Sequence, residues 1–141
     1  MNKEEYYVIE YAYGTAKINL FSVHLSTYED ERILACKELN RIISKIDKDE
    51  IVIVGGDFNV GVTRLGKGQY TFKEQKEYEE YKVLSEHLTK LPNIEDTWFS
   101  KLGQGCIDTM FYSSNAQLLN YKTIDVENKS DHNAIYAEFN I

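Results

Sequence analysis

One mixed β-sheet carrying its helices on a single face, an α/β (α+β) arrangement, is the architecture that this sequence predicts. Three observations lead there. Strand-like and helix-like runs follow one another in the order β, β, α, β, α, β, β, β, which gives a mixed sheet with helical cover. The run Ile51-Val52-Ile53-Val54 is continuously apolar, as buried strands are. Residues 17–25 are largely apolar on both faces under two-residue alternation, with Ile18, Leu20, Ser22 and His24 on one and Phe21, Val23 and Leu25 on the other. That pattern belongs to a central strand with a polar end.

The elements follow in order. Residues 6–13 and 17–25 are rich in β-formers and flank Tyr13-Gly14-Thr15-Ala16, so they predict a hairpin. Ser26-Thr27, with Glu29 three residues after Ser26, reads as a capping box, and Ile33, Leu34, Leu39, Ile42, Ile43 and Ile46 recur at helical spacing. A helix is expected over 28–46. Asp47 to Glu50 form a solvated turn, and the buried strand 51–54 ends at Gly55-Gly56-Asp57. Residues 60–72 show no convincing period and predict a loop. Tyr78, Tyr81, Leu84, Leu88 and Leu91 step by three and four until Pro92, predicting a helix over 74–90. Strands at 107–112, 118–126 and 134–139 complete the chain, separated by Ser113-Ser114-Asn115 and Asn128-Lys129-Ser130.

Composition bounds the function. A chain of 141 residues is expected to bury one core, giving a single domain over 1–141. With 43% apolar and 13% aromatic residues it is too hydrophobic for disorder, and no apolar run reaches the roughly 18 residues of a membrane span. Met1 to Glu5 lack the basic-then-apolar order of a secretory signal, so the default compartment is the cytoplasm. Cys36 and Cys106 have no zinc-like spacing and are expected as reduced core thiols. The net charge of -7 argues against coating a nucleic acid by charge alone. A local excess of cations, Arg64, Lys67, Lys73 and Lys76 against Glu74, leaves two readings open: steering of an anionic substrate or a plain solvated loop.

Polar clusters gather at strand ends: His24, the pair Asp57/Asn59, Asp108, and Ser130-Asp131-His132. Ligand-binding groups collect beyond the carboxyl ends of strands in open α/β sheets. Asp57, Asn59 and Asp131 offer oxygen ligands to a hard cation such as Mg²⁺ and leave room for a phosphate. His132 suits proton transfer, with Asp108 or Asp131 to fix its tautomer. Taken singly, each cluster reads more readily as an ordinary turn or strand cap. His87 reads as a solvated helix residue, and the Tyr78/Tyr81 pair as packing.

The clusters also carry a resemblance. Gly55-Gly56-Asp57-Phe58-Asn59 resembles the GDFN motif of the endonuclease/exonuclease/phosphatase superfamily, and Ser130-Asp131-His132 its SDH motif. Between them Ile107-Asp108-Thr109-Met110-Phe111-Tyr112 is similar to the family's ID-x-hydrophobic-F strand, and Ser22-Val23-His24-Leu25 to its T-H-L strand end. Four motifs in the family's order make the likeness specific. Asn133-Ala134 replaces the usual x-Pro after the SDH motif, and Cys106-Ile107 stands where a basic residue is common.

The resemblance implies hydrolysis of a phosphate ester assisted by Mg²⁺, with Mn²⁺ as its substitute. It makes His132 the general base and Asp108 its orienting partner. Asp57 and Asn59 would bind phosphate, nucleophile or metal; His24 would contact the phosphate or help the leaving group; Asp131 would be a metal ligand. It runs from about Tyr6 to Phe139 and corresponds to the C-terminal half of the family domain, one half of a four-layer α/β/β/α sandwich. The implied partners are therefore a phosphate-ester substrate and either a second copy of the chain or a complementing N-terminal half; a chain active in isolation would have to replace that half's metal-binding Glu, for example with Glu10 or a residue from a symmetric partner. The alternative is a catalytically inactive remnant that binds or assembles through its bare sheet face.

Overall fold

The computed structural model describes residues 5–141. The hairpin strands are β1 (Glu5–Tyr13) and β2 (Ala16–His24), followed by α1 (Glu29–Ile43) and β3 (Ile51–Asp57). Next come β4 (Val62–Gly66), β5 (Gln69–Phe72), α2 (Glu79–Leu84) and β6 (Thr89–Lys90). The chain continues through β7 (Trp98–Phe99), β8 (Gln104–Gly105), β9 (Asp108–Tyr112), β10 (Gln117–Ile124) and β11 (Ala134–Asn140). The main sheet has the order β1-β2-β3-β9-β6, in which only β2 and β3 run parallel. The mixed sheet of the sequence reading is present, and α1 is the crossover between its parallel pair. The leading residues 1–4, read for a signal, lie outside the described residues.

Both helices cover one face. Phe21, Val23, Val54 and Phe111 of the sheet pack with Cys36, Leu39 and Ile43 of α1, Leu84 of α2, and Phe58. Phe58 and Phe111 are wholly buried, and burial of a side chain of that size is worth about 1.5–3 kcal/mol. On the other face Leu20, Ile53 and Tyr112 are register partners across three strands, covered in part by Phe139 and the buried Ala116. Ile9, the partner of Leu20 on β1, is 59% exposed.

Four expectations need correction. Residues 60–72 form the hairpin β4–β5 and not a loop; a register irregularity between Arg64 and Gly66 breaks the alternation that would have revealed it. The helix expected over 74–90 is only Glu79–Leu84, because Tyr78 is extended and its hydroxyl, bonded to the Lys73 carbonyl and the Gln75 N–H, ties the preceding segment into a turn. Leu88 keeps its helical spacing through the closing turn, where its N–H bonds the Leu84 carbonyl. The last two strands form their own two-stranded ribbon and do not join the sheet. The capping box is replaced as well: α1 starts after an extended Tyr28, whose N–H is accepted by Ser26 Oγ, while that hydroxyl donates to Glu31. Cys36 is buried in the core outside any disulfide, as expected, whereas Cys106 is only half-buried. Among the described residues no helix is long and apolar enough to cross a membrane.

Candidate active site

Strand register creates the site. His24 is the cross-strand partner of Asp57, and Asp57 that of Asp108, so three adjacent strands present these side chains in one row. Because β2 and β3 are parallel, their carboxyl ends coincide; β9, antiparallel to β3, begins at the same level. Gly56, with φ +142°, makes that pairing possible: a Cβ there would collide with the Val23 carbonyl on β2. Asn59 follows in the left-handed region at φ +51°; its N–H donates to Asp57 Oδ1 (2.9 Å) and its side-chain amide to the Leu25 carbonyl (2.7 Å). The tight GGDFN turn is thereby pinned to the end of β2.

The fourth member arrives from far along the chain. An isolated bridge pairs His132 with Trp98, flanked by Asn133 N–H to the Thr97 carbonyl (2.7 Å) and Phe99 N–H to the Asp131 carbonyl (2.9 Å). Ser130 Oγ accepts the His132 N–H at 3.1 Å, fixing the backbone of the Ser-Asp-His run. His132 Nδ1 then lies 2.8 Å from Asp108 Oδ2, and its Nε2 lies 3.8 Å from Asp57 Oδ2. His24 Nε2 is 3.6 Å from the same Asp57 oxygen, with its ring largely in solvent.

The electrostatics follow from this packing. Burial pushes the Asp57 carboxyl up to about 6, and the charge of Asp108 adds to the rise; the Asn59 N–H, His132 and His24 oppose it. The hydrogen bond to Asp108 raises His132 above its ordinary value, against the opposing effect of burial, with the charges of Asp108, Asp57 and Asp131 adding. A carboxylate acceptor on Nδ1 places the proton there and leaves the Nε2 lone pair facing Asp57. Asp57, Asp108 and His132 each offer a ligand atom within 4.8 Å of the others. Asp131 lies outside that group: its side chain is exposed and its carbonyl is held by Phe99. Glu10 lies five residue pairs along the β1–β2 ladder from His24, roughly 16 Å at strand spacing, and is ion-paired to Lys17 at 3.6 Å. The expectation that Glu10 replaces a metal-binding Glu is therefore corrected: the register holds it away from the site.

Three supporting residues escaped the sequence reading. Thr97, fully buried, accepts the N–H groups of both Ile107 and Asp108 on its hydroxyl, at 3.1 and 3.0 Å. Asn93 donates to the Asp108 carbonyl (2.9 Å) and accepts from the Thr109 hydroxyl (2.6 Å). Trp98 carries the bridge that places His132. A threonine beside the single tryptophan was the available signal. Elsewhere, His87 is exposed near Glu86, and Arg64 of the basic segment lies over the rings of Tyr28 and Tyr70.

This fold is the deoxyribonuclease-like fold that the four ordered motifs implied. No protein-family model and no curated protein matches the sequence; the likeness is one of structure. Zebrafish (D. rerio) TDP2 complexed with a single-strand DNA product superimposes with a TM-score of 0.73 at 18% identity, over 98% of this chain and 62% of TDP2. The endonuclease domain of TRAS1, a telomere-specific non-LTR retrotransposon, gives 0.73 at 19% identity over 96% of this chain and 64% of its own. An endonuclease/exonuclease/phosphatase family protein from Leptotrichia buccalis gives 0.60 at 18% over 99% and 61%. The chain thus spans about three fifths of the length of these solved structures.

Proposed function

We propose that this chain carries the hydrolytic site of a phosphodiesterase, with His132 as general base. The observation that supports this most is the Asp108–His132–Asp57 arrangement, in which one imidazole nitrogen is held at 2.8 Å and the other faces a partly buried carboxyl. In the step this supports, His132 Nε2 accepts a proton from a water whose oxygen bonds to phosphorus, while the bond from phosphorus to the leaving oxygen breaks. Asp108 steadies the imidazolium. Asn59 holds the turn that positions Asp57, and the solvent-facing His24 contacts the phosphate or leaving group.

The donor set fits a hard divalent cation, Mg²⁺ or Mn²⁺. Asp57 and Asp108 are neighbouring carboxylates whose mutual repulsion is already felt in the raised Asp57 value, and a cation relieves it. When bound, such an ion supplies charge stabilisation to the phosphoryl oxygens. Asp57 and Asn59 are the ligands this reading favours; Asp131 would join only by turning inward from its exposed position. Nucleic acid is the substrate class favoured by the single-strand DNA product on TDP2 and the endonuclease role of the TRAS1 domain.

In this reading residues 1–141 correspond to the C-terminal half of the superfamily domain, and the sheet face around Ile9, Leu20 and Ile53 packs against a complementing half or a second copy. The exposure of Ile9 supports that. It equally favours the second reading, an inactive remnant that assembles through this face. Hydrolysis of bis(p-nitrophenyl) phosphate with and without Mg²⁺ or Mn²⁺, beside Asp57→Ala, separates the two. Cation-dependent turnover lost in Asp57→Ala supports the hydrolase, whereas a folded chain without turnover or cation binding supports the remnant.

A further inference from the structure

A cavity of about 500 Å³ opens on the helix-covered side of β9, away from the row of His24, Asp57 and Asp108. Its walls include Phe72, Tyr78, Tyr81, Lys90, Asn93 and Cys106. Tyr81 packs on Phe58 and Phe111 at 6.0 and 5.6 Å between ring centres, which places this wall against the core on the face opposite the site. The volume lies within the range of about 300–1,000 Å³ usual for small-molecule sites, and the lining is mostly apolar with a few polar groups.

Two of those polar groups are incompletely compensated. The Tyr81 hydroxyl is out of solvent contact and has no hydrogen-bond partner. The Lys90 ammonium, half-buried, donates to the Leu91 carbonyl at 3.0 Å and lies 5.3 Å over the Tyr81 ring, but pairs with no carboxylate among the described residues. Burial lowers its pKa, so its charged form is under-compensated. Around the opening, Lys76 and Lys82 with Lys90 outnumber Glu74 and Glu77, a local positive balance in a chain of net charge -7.

We infer that this cavity is a second ligand site, distinct from the phosphoester site, and that it takes a small aromatic carboxylate. The aromatic ring of the ligand would lie among Phe72, Tyr78 and Ile94, with its carboxylate toward Lys90. Asn93, which lines the cavity and also donates to the Asp108 carbonyl, connects it to the strand that presents Asp108.

Calorimetric titration of the full chain with phenylacetate and indole-3-acetate, and with neutral phenylacetamide, tests this. The expected result is saturable one-to-one binding of at least one acid and binding of the amide about tenfold weaker or more, the worth of one charge-assisted hydrogen bond. Lys90→Met should weaken the acid by about tenfold, while Asp57→Ala leaves it unchanged. Absence of saturable binding by either acid, or equal binding of acid and amide, overturns the proposal without any variant. Loss of binding in Asp57→Ala overturns it too, because the acid would then occupy the phosphoester site.

Discussion

Nδ1 of His132 lies 2.8 Å from Oδ2 of Asp108, 24 residues away in sequence, and this hydrogen bond is the largest influence on the imidazole. It raises the His132 pKa, so the neutral ring is populated only above a value higher than the ordinary 6.5. Asp108→Asn should lower that value and, under the proposed base role, move the acidic limb of the rate profile to lower pH and reduce turnover by about 10²- to 10⁴-fold. NMR titration of the His132 ring reads the shift independently of turnover. The same pair contributes stability that is complete below the unfolded pKa of about 6.5 and lost as pH rises through the folded one. An unchanged His132 titration in Asp108→Asn would remove the orienting role.

Asp57 carries linkage of the same sign in a more acidic window. Its folded pKa is raised to about 6 from 3.8, so between those values the folded chain keeps a proton that the unfolded chain has released. Stability therefore falls as pH rises through this window and stays lower above it. Asp57→Asn, which can still accept the Asn59 N–H, should stabilise the chain at pH 7.5 without divalent cations by on the order of 2 kcal/mol. The gain should vanish near pH 4. Urea unfolding at the two pH values checks this, and a destabilised Asn variant at pH 7.5 would contradict the burial and repulsion assigned to the site.

Much of this site was legible in the sequence because its side chains sit at strand ends within distinctive short motifs: His24 after an apolar strand, Asp57 and Asn59 around a glycine pair, Asp108 and His132 in their own runs. That His24, Asp57 and Asp108 would share one row was not legible. It depends on the parallel register of β2 with β3, a non-local property that local alternation does not encode. Thr97 and Asn93 stayed hidden for a related reason: their roles are hydrogen bonds to distant backbone, and isolated polar residues in irregular segments carry no period. The second helix was drawn too long because Leu88 keeps helical spacing through a turn. The β4–β5 hairpin was missed because its short strands bury little.

Arg32 of α1 and Glu80 of α2 form an ion pair at 2.8 Å with both side chains nearly sealed, at 3% and 4% exposure. Removing one charge strands the other in the interior, so Glu80→Ala should cost about 3–5 kcal/mol. The double variant Arg32→Met/Glu80→Leu should cost clearly less than Glu80→Ala, tempered by the loss of the Arg32 bonds to the Ser26 and Val62 carbonyls. Chemical denaturation of the single and double variants provides the comparison. Additive losses would mean that each side chain acts by packing and not as half of a pair.

Thr97 tests whether the support beneath Asp108 is polar or merely steric. Its hydroxyl accepts two backbone N–H groups, those of Ile107 and Asp108, at a fully buried position. Valine has nearly the same shape but no acceptor, so Thr97→Val leaves both donors unsatisfied and should cost roughly 2–4 kcal/mol. Thr97→Ser keeps the acceptor and gives up one methyl, a cost of about 1 kcal/mol. Hydrophobicity alone predicts the reverse order, since valine is the more apolar replacement. The two effects are further separated by His132: freeing the Asp108 N–H in Thr97→Val should loosen the carboxylate and lower the His132 pKa, while Thr97→Ser should not. Denaturation curves for the two variants, read beside the His132 titration, decide the matter, and a serine variant less stable than the valine one would show that Thr97 holds this strand by packing.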